Sequence, residues 1–171
     1  MLKHLLAFAL LLLFGGHTDA ARVARAEIVE YGVFQKVAPD PDVEAPKSLT
    51  GEIHGVVEAK LQEQTATIVA AVGTSFGIRV KFVGEPQDET ITCSFRWIRP
   101  KLTDPATGKT TDRDEWQSQL QIGHGRYAGY TFDAPWELVS GKWKLEVVYQ
   151  GKIVTEKIFE VVATKAPNQA M

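Results

Sequence analysis

The sequence has very few of the residues that cross-link, ligate or glycosylate proteins. Cys93 is the only cysteine among 171 residues, so no internal disulfide bond can form. Beyond the N-terminal region the only histidines are His54 and His124, and neither belongs to a paired metal-ligand motif. Asn168 is the only asparagine, and no Asn-x-Ser/Thr triplet occurs. We therefore expect no metal site, and we expect the hydrophobic core to supply the stability of the fold.

An excess of basic over acidic residues and a nucleotide-binding glycine motif are also lacking. From Glu27 onward, sixteen Lys and Arg side chains face twenty Asp and Glu side chains, which gives a net charge of −4. Nucleic-acid binding is disfavoured because phosphate contacts need a basic surface. No glycine-rich loop of the Walker or dinucleotide type occurs, and we expect no cofactor. The acidic stretches 40–44 and 112–115 lack the glycine and the length of a calcium loop, so both are interpreted as solvated loops.

The only long apolar run lies at the N-terminus. Residues 5–14 are ten consecutive apolar side chains that follow a short positive start and precede small residues. This arrangement is typical of a secretory signal peptide, since ten apolar residues are too few to span a bilayer. We predict a signal over residues 1–26, cleaved after Ala20 or after Ala26; a permanent N-terminal anchor is the alternative. The mature chain would then have no transmembrane span and be periplasmic or secreted.

The rest of the chain alternates between apolar and polar side chains, which is typical of half-buried strands. Within 51–61 and the residues after it, "EAKLQEQ" also favours a helical turn, but strand is preferred. Two long loops are predicted, at 37–48 with its three prolines and at the polar stretch 100–115. The predicted strands lie in 26–35, 51–61, 65–72, 74–84, 89–98, 115–122, 126–133 and the terminal segment 135–162.

The terminal segment, "PWELVSGKWKLEVVYQGKIVTEKIFEVV" (135–162), predicts a β-hairpin that turns at its Gln-Gly pair. One register has a two-residue loop and pairs Tyr149 with Lys152. The other has a three-residue loop and pairs Val147 with Ile153. We favour the second register, because it brings a Lys and a Glu into an opposite-charge pair on the outer face.

These patterns favour an all-β fold. Seven to nine short strands separated by turns predict an antiparallel, immunoglobulin-like β-sandwich over residues 27–163. A small closed barrel is the alternative. The cysteine pair of immunoglobulin domains is absent, so the expected likeness is one of architecture. Residues 164–171 are predicted to form a flexible C-terminal tail.

Three segments of the chain resemble a known family. "EIVEYG" near the mature start, "VGTSFGIRVKF" in the middle and "PWELVSGKWKLEVVYQGKIVTEKIFEV" at the end occur in that order. Together they resemble a family of exported bacterial proteins catalogued as a domain of unknown function, over about residues 27–162. The resemblance implies a bacterial, periplasmic β-sandwich. It implies no catalytic residues, and the stretches 37–48 and 100–115 contribute nothing to it.

Two candidate nucleophiles are interpreted as structural residues. "GTSFG" (73–77) fits the nucleophile elbow of hydrolases, with His124 downstream, but that elbow needs a helix after Ser75. The following "IRVKFV" predicts a strand instead. Cys93 shares the apolar face of its strand with Phe95, which predicts a buried and inert thiol. We therefore predict no catalytic residue.

Three residues are the candidate ligand contacts. Trp136 follows a proline in a connection, Tyr127 lies on the polar face of its strand, and Arg99 precedes a proline. Aromatic and arginine side chains of this kind often bind sugars and peptides. We predict a non-enzymatic binding or interaction module of the cell envelope, whose partner is an envelope protein or a glycan. The alternatives are a carbohydrate-binding module and an unrecognised hydrolase.

Overall fold

The computed structural model describes residues 21–163, except for the side chains of Pro39, Asp40, Val56 and Val57. Most of the predicted signal and the predicted tail at 164–171 lie outside these described residues. Within residues 21–163 there is no helix with the length and hydropathy that a membrane span requires.

The described chain forms nine strands and one short 3₁₀ helix, Pro135–Glu137, which confirms the all-β prediction. The strands are β1 (Arg22–Glu44), β2 (Glu52–Glu63), β3 (Thr67–Ala70), β4 (Ser75–Glu85), β5 (Thr90–Thr103), β6 (Thr110–Gln121), β7 (Gly125–Thr131), β8 (Gly141–Tyr149) and β9 (Lys152–Ala163).

The nine strands divide into two sheets that pack face to face. Sheet A has the order β2-β1-β4-β7, and sheet B has the order β3-β9-β8-β5-β6. Every pair is antiparallel except β3 with β9. The edge strands β7 and β6 therefore lie on sheets that face each other, and their positions become important for the candidate site.

The core lies between the sheets and follows the alternation of the sequence. In β4 the side chains of Phe76, Ile78, Val80 and Phe82 are fully buried, while Arg79 and Lys81 point outward. Burial of one face of each strand removes its apolar side chains from water, which is the main stabilising term of such a fold. The ring of Phe76 is central: it lies within 6 Å of four other aromatic rings, those of Trp97, Phe132, Trp143 and Phe159.

The two long loops predicted from the sequence are mostly strand. β1 continues through the proline-rich stretch to Glu44, and β5 and β6 leave only residues 104–109 between them. Proline is tolerated in β1 because repeated bulges interrupt its pairing with β2 between Lys36 and Val43. The prediction of loops at 37–48 and 100–115 is therefore wrong over most of both ranges. The strand preferred over a helical turn in 51–61 is confirmed as β2.

The register favoured for the terminal hairpin is also wrong. Tyr149 pairs with Lys152 across a two-residue loop whose residues both have positive φ, 49° at Gln150 and 75° at Gly151. A bulge then shifts the pairing, so that Val147 faces Thr155. The favoured register is continuous, whereas the observed pairing shifts between Val147 and Val148. A bulge lets the turn take its preferred geometry while β9 still directs its apolar side chains inward.

The inertness of the single thiol is testable. Cys93 is 2% exposed, and burial raises the pKa of its thiol from 9.0 to about 12. At about pH 8 the group is therefore protonated and covered. We expect no reaction of the native protein with a disulfide-exchange reagent over an hour, and stoichiometric reaction once guanidinium chloride unfolds the chain. Rapid labelling of the native protein would contradict the described burial.

Candidate functional site

The site is built by the part of the β1–β2 hairpin that extends beyond β4, residues 36–61, which we call the arm. β4 pairs with β1 only as far as Phe34, and from there the arm folds over the outer face of sheet A. The guanidinium of Arg79 on that face donates a hydrogen bond to the carbonyl of Ala59 in the arm. The rings of Phe34 and Tyr127 are 4.8 Å apart and form, with Ala59, a small second core outside the sandwich.

Glycines create the space for this second core. On the outer face of β7, a Cβ added to Gly129 would lie 2.0 Å from the hydroxyl oxygen of Tyr127. Where the arm departs from sheet A, Gly32 has a φ of 137°, and a Cβ there would lie 1.9 Å from the carbonyl oxygen of Glu63. Larger residues at either position would force the tyrosine or the backbone to move, so these glycines allow the arm to lie close to the sheet.

The tip of the arm is attached to sheet B. The backbone amide of Leu49 donates a 2.7 Å hydrogen bond to the carboxylate of Asp114 on β6, and the Leu49 side chain joins the main core. Lys109 donates to the carbonyl of Ser48 next to it. The other oxygen of Asp114 forms a buried ion pair with Arg99. The arm therefore bridges the two sheets across their β6 and β7 edges.

Between the arm and these two edge strands lies a groove with a cavity of about 140 Å³. Leu49 closes it from the arm, Phe95 and Trp116 come from sheet B, and Tyr130 comes from sheet A. The phenyl and indole rings of Phe95 and Trp116 are stacked at 5.4 Å. An apolar wall with a few converging polar groups is the usual form of a ligand pocket. We therefore take this groove as the candidate functional site.

Two buried carboxylates border the groove, those of Asp114 and Glu137. Glu137 ends the 3₁₀ helix and accepts hydrogen bonds from the Tyr130 hydroxyl at 2.9 Å and from the backbone amides of Asp133 and Ala134. Burial is the main reason that the pKa of Tyr130 is raised well above its usual value, and the nearby Glu137 carboxylate acts in the same direction. The tyrosine therefore remains a neutral hydrogen-bond donor.

The structure does not bring the three predicted contact residues together. Tyr127 lines the groove but is only 8% exposed, because the arm covers it. Arg99 is 4% exposed, paired with Asp114 and placed over the rings of Tyr130 and Trp143. It lies in the interior and not at the surface that the hypothesis required. Trp136 is half-buried against the main core and does not line the groove, and its role in ligand contact stays a prediction.

The buried positions of Asp114, which lines the groove, and of its partner Arg99 had a detectable signal in the sequence. Asp114 was interpreted as part of a solvated loop, yet it is 3% exposed. Extending the alternation of Trp116 backward by two residues places Asp114 inside, and extending that of Trp97 forward places Arg99 inside. Glu137 had no such signal, because it lies in a connection without periodicity.

The candidate nucleophiles are placed as the sequence predicted. Ser75 begins β4, is followed by strand, and its hydroxyl lies 2.8 Å from that of Thr131 at the end of β7. His124 contacts Asp88 and lies just before the start of β7. Ser75 lies beside the other end of β7, so His124 and Ser75 are far apart. Among the described residues no group of three His, Cys, Asp or Glu side chains is placed to hold a metal ion.

The comparisons with known proteins agree with this architecture. The chain is similar to an immunoglobulin-like protein from Pseudomonas aeruginosa, with a TM-score of 0.59 and 25% sequence identity. The match covers 86% of this chain and 100% of that one. The fold is thus an immunoglobulin-like β-sandwich, as predicted.

A protein-family model gives a more specific match than the fold does. Residues 22–161 match the model described as Domain of unknown function (DUF3859), and the chain belongs to this family. The resemblance drawn from the three sequence segments is thereby confirmed as far as the family goes. No match was found among curated proteins.

The attachment of the arm can be tested by removing one charge. Asp114→Asn leaves the buried Arg99 guanidinium without its ion pair, which costs about 3–5 kcal/mol when one partner of such a pair is lost. We expect this loss in the free energy of unfolding by urea, measured by tryptophan fluorescence. The matched control is Asp112→Asn, an exposed position on the same strand, where a change within about 0.5 kcal/mol is expected. Equal stability of the two variants would contradict the structural role of the Asp114–Arg99 pair to which the arm is hydrogen-bonded.

Proposed function

We propose that this protein is a non-enzymatic binding module of the bacterial cell envelope and that the groove beneath the arm receives part of a partner protein. The groove itself is the observation that carries this proposal. It joins an apolar wall, converging polar groups and two edge strands at one place. Rigid sheets that present such a surface are a common basis of recognition.

The size of the cavity favours a protein partner over a free small molecule. Sites for small molecules typically enclose about 300–1,000 Å³. The cavity here is about 140 Å³, close to the volume of about 150 Å³ that holds one benzene-sized group. It therefore suits a single side chain that is delivered by a larger surface. In protein interfaces a few side chains that fill pockets of the partner carry most of the binding energy.

The proposal of a non-enzyme is supported by how the reactive groups are used. Cys93 is sealed in the core, and Ser75 is hydrogen-bonded to Thr131 far from His124. In the groove, Asp114 is occupied by Arg99 and Leu49, and Glu137 by three donors. Such groups hold a structure in place and have little freedom to transfer protons.

The proposed location in the cell envelope follows from the predicted signal peptide. β1 begins at Arg22, where it pairs with Glu85 of β4, and Val23 and Ala26 pack against the core. Cleavage after Ala26 would remove these residues from sheet A. Cleavage after Ala20 would leave β1 intact, and this supports the earlier of the two sites.

We therefore expect the exported protein to begin at Ala21. The measurement is the intact mass and the N-terminal sequence of the protein recovered from the periplasm of bacteria that express the full chain. A mature protein that begins at Glu27 would contradict the presence of residues 22–26 in β1 of the exported protein. An uncleaved chain in the membrane fraction would contradict the export proposal.

The proposed partner can be captured at the rim of the groove. Gln117 on β6 is exposed and borders the cavity. Replacing it with a photoreactive phenylalanine should give a discrete cross-linked product in intact cells. The control is the same substitution at Thr67, an exposed residue on β3 at the far edge of sheet B. Absence of a product at Gln117, or identical products at both positions, would overturn the proposed function.

A further inference from the structure

The charges around the cavity indicate which side chain it receives. Asp114 and Glu137 line the groove, and Arg99 lies behind them against Asp114 and the Tyr130 ring, so the three groups carry one positive and two negative charges. Asp114 is paired with Arg99, whereas Glu137 has no ion-pair partner among the described residues. A buried carboxylate that is hydrogen-bonded but forms no ion pair of its own is stabilised further when a cation approaches. The inner end of the groove is therefore complementary to a positive group.

The groove wall is also suited to a cation. Trp116, Phe95 and Tyr130 present aromatic surface, and aromatic faces attract guanidinium and ammonium groups. The protein already uses this chemistry nearby, because the guanidinium carbon of Arg99 lies 5.9 Å from the ring centre of Tyr130 and 5.6 Å from that of Trp143. A guanidinium is less strongly hydrated than an ammonium and stacks better on rings.

Positive residues also border the groove, but away from Glu137. His54 belongs to the arm and already contacts Asp42 at 2.9 Å. Lys36 is solvent-exposed, where screening weakens its field. Arg126 lies near the start of β7, about 16 Å along an extended strand from Thr131, which precedes the Glu137 region. These positive residues therefore belong to other elements of the groove wall than Glu137 does.

We propose that the groove binds an arginine side chain carried on an extended segment of a partner protein. The aromatic wall holds the aliphatic part of that side chain, and Glu137 faces its guanidinium. This inference rests on the proposed function and names the anchor that the partner supplies. The exposed rim at Gln117 and the edge of β7 leave room for the backbone on either side of the anchor.

The test uses capped tripeptides with a central residue between two alanines. ¹⁵N-labelled mature protein is titrated with the arginine, leucine and glutamate peptides, and chemical shifts of backbone amides are followed. We expect saturable shifts near Trp116 and Glu137 with the arginine peptide and at least tenfold weaker binding of the other two. Because the attraction is electrostatic, raising the salt concentration should weaken the binding of the arginine peptide and leave the binding of the leucine peptide unchanged.

The variant Glu137→Gln removes the charge and keeps an amide of the same shape, which can still bond the two backbone amides and Tyr130. We expect at least a tenfold loss of affinity for the arginine peptide and none for the leucine peptide. Glu160→Gln, an exposed change on β9, is the matched control and should bind like the parent protein. If Glu137→Gln does not fold, the salt dependence of the parent protein still decides.

Several results would overturn this inference. One is the absence of chemical-shift changes with the arginine peptide, and another is equally tight binding of the leucine or glutamate peptide. A third is binding of butylguanidinium as tightly as the arginine peptide, because that would indicate a site for a free cation. The cross-link at Gln117 separates the two proposals. A captured partner together with indiscriminate peptide binding would remove only the arginine anchor, whereas a missing partner removes the proposed function.

Discussion

The buried ion pair between Arg99 and Asp114 is the interaction on which the candidate site depends. A charge in a protein interior is costly unless it is paired and its remaining hydrogen-bonding capacity is used. Here the second oxygen of Asp114 accepts from the backbone amide of Leu49, and the Arg99 guanidinium also donates to the carbonyl of Thr111, while its Nε has no hydrogen-bond partner among the described residues. The pairing of these two buried charges is thus coupled to the position of the arm. The surface pair of Lys47 and Glu115 nearby adds little by comparison.

The arm also lies beside the exposed edge strands, which are a general liability of open β-sandwiches. Edge strands expose unpaired backbone groups that invite aggregation, and proteins usually cover them. In this fold the arm packs on Tyr127 of β7 and its tip is hydrogen-bonded to Asp114 of β6, so it covers part of both edges and leaves the rest open. It does not fill the space completely, because its tip contributes one apolar side chain, Leu49, to a gap between two sheets. The groove is the part of the gap that remains, and its shape is set by elements with structural roles of their own.

Most polar groups of the described interior satisfy one another. Ser75 bonds Thr131, Asp114 bonds Arg99, and Tyr130 bonds Glu137. Such mutual satisfaction stabilises a sandwich without disulfides, but it leaves few groups with the mobility that acid–base or nucleophilic chemistry needs. Glu137 differs from Asp114 because, among the described residues, it forms hydrogen bonds but no ion pair of its own. This asymmetry is the physical basis for expecting a cationic anchor.

The amino-acid sequence by itself determined the class of the fold, because alternation with period two fixes which face of each strand is buried whatever its neighbours are. The inward faces of β4 and β5, the burial of Cys93 and the strand after Ser75 all follow from that local rule. The tertiary structure alone decided the bulge in the last hairpin, the course of β1 past its prolines and the meeting of the arm with β6. Those features depend on contacts between residues far apart in the chain, such as Leu49 with Asp114. A periodic pattern contains no information about which distant strand a side chain will meet.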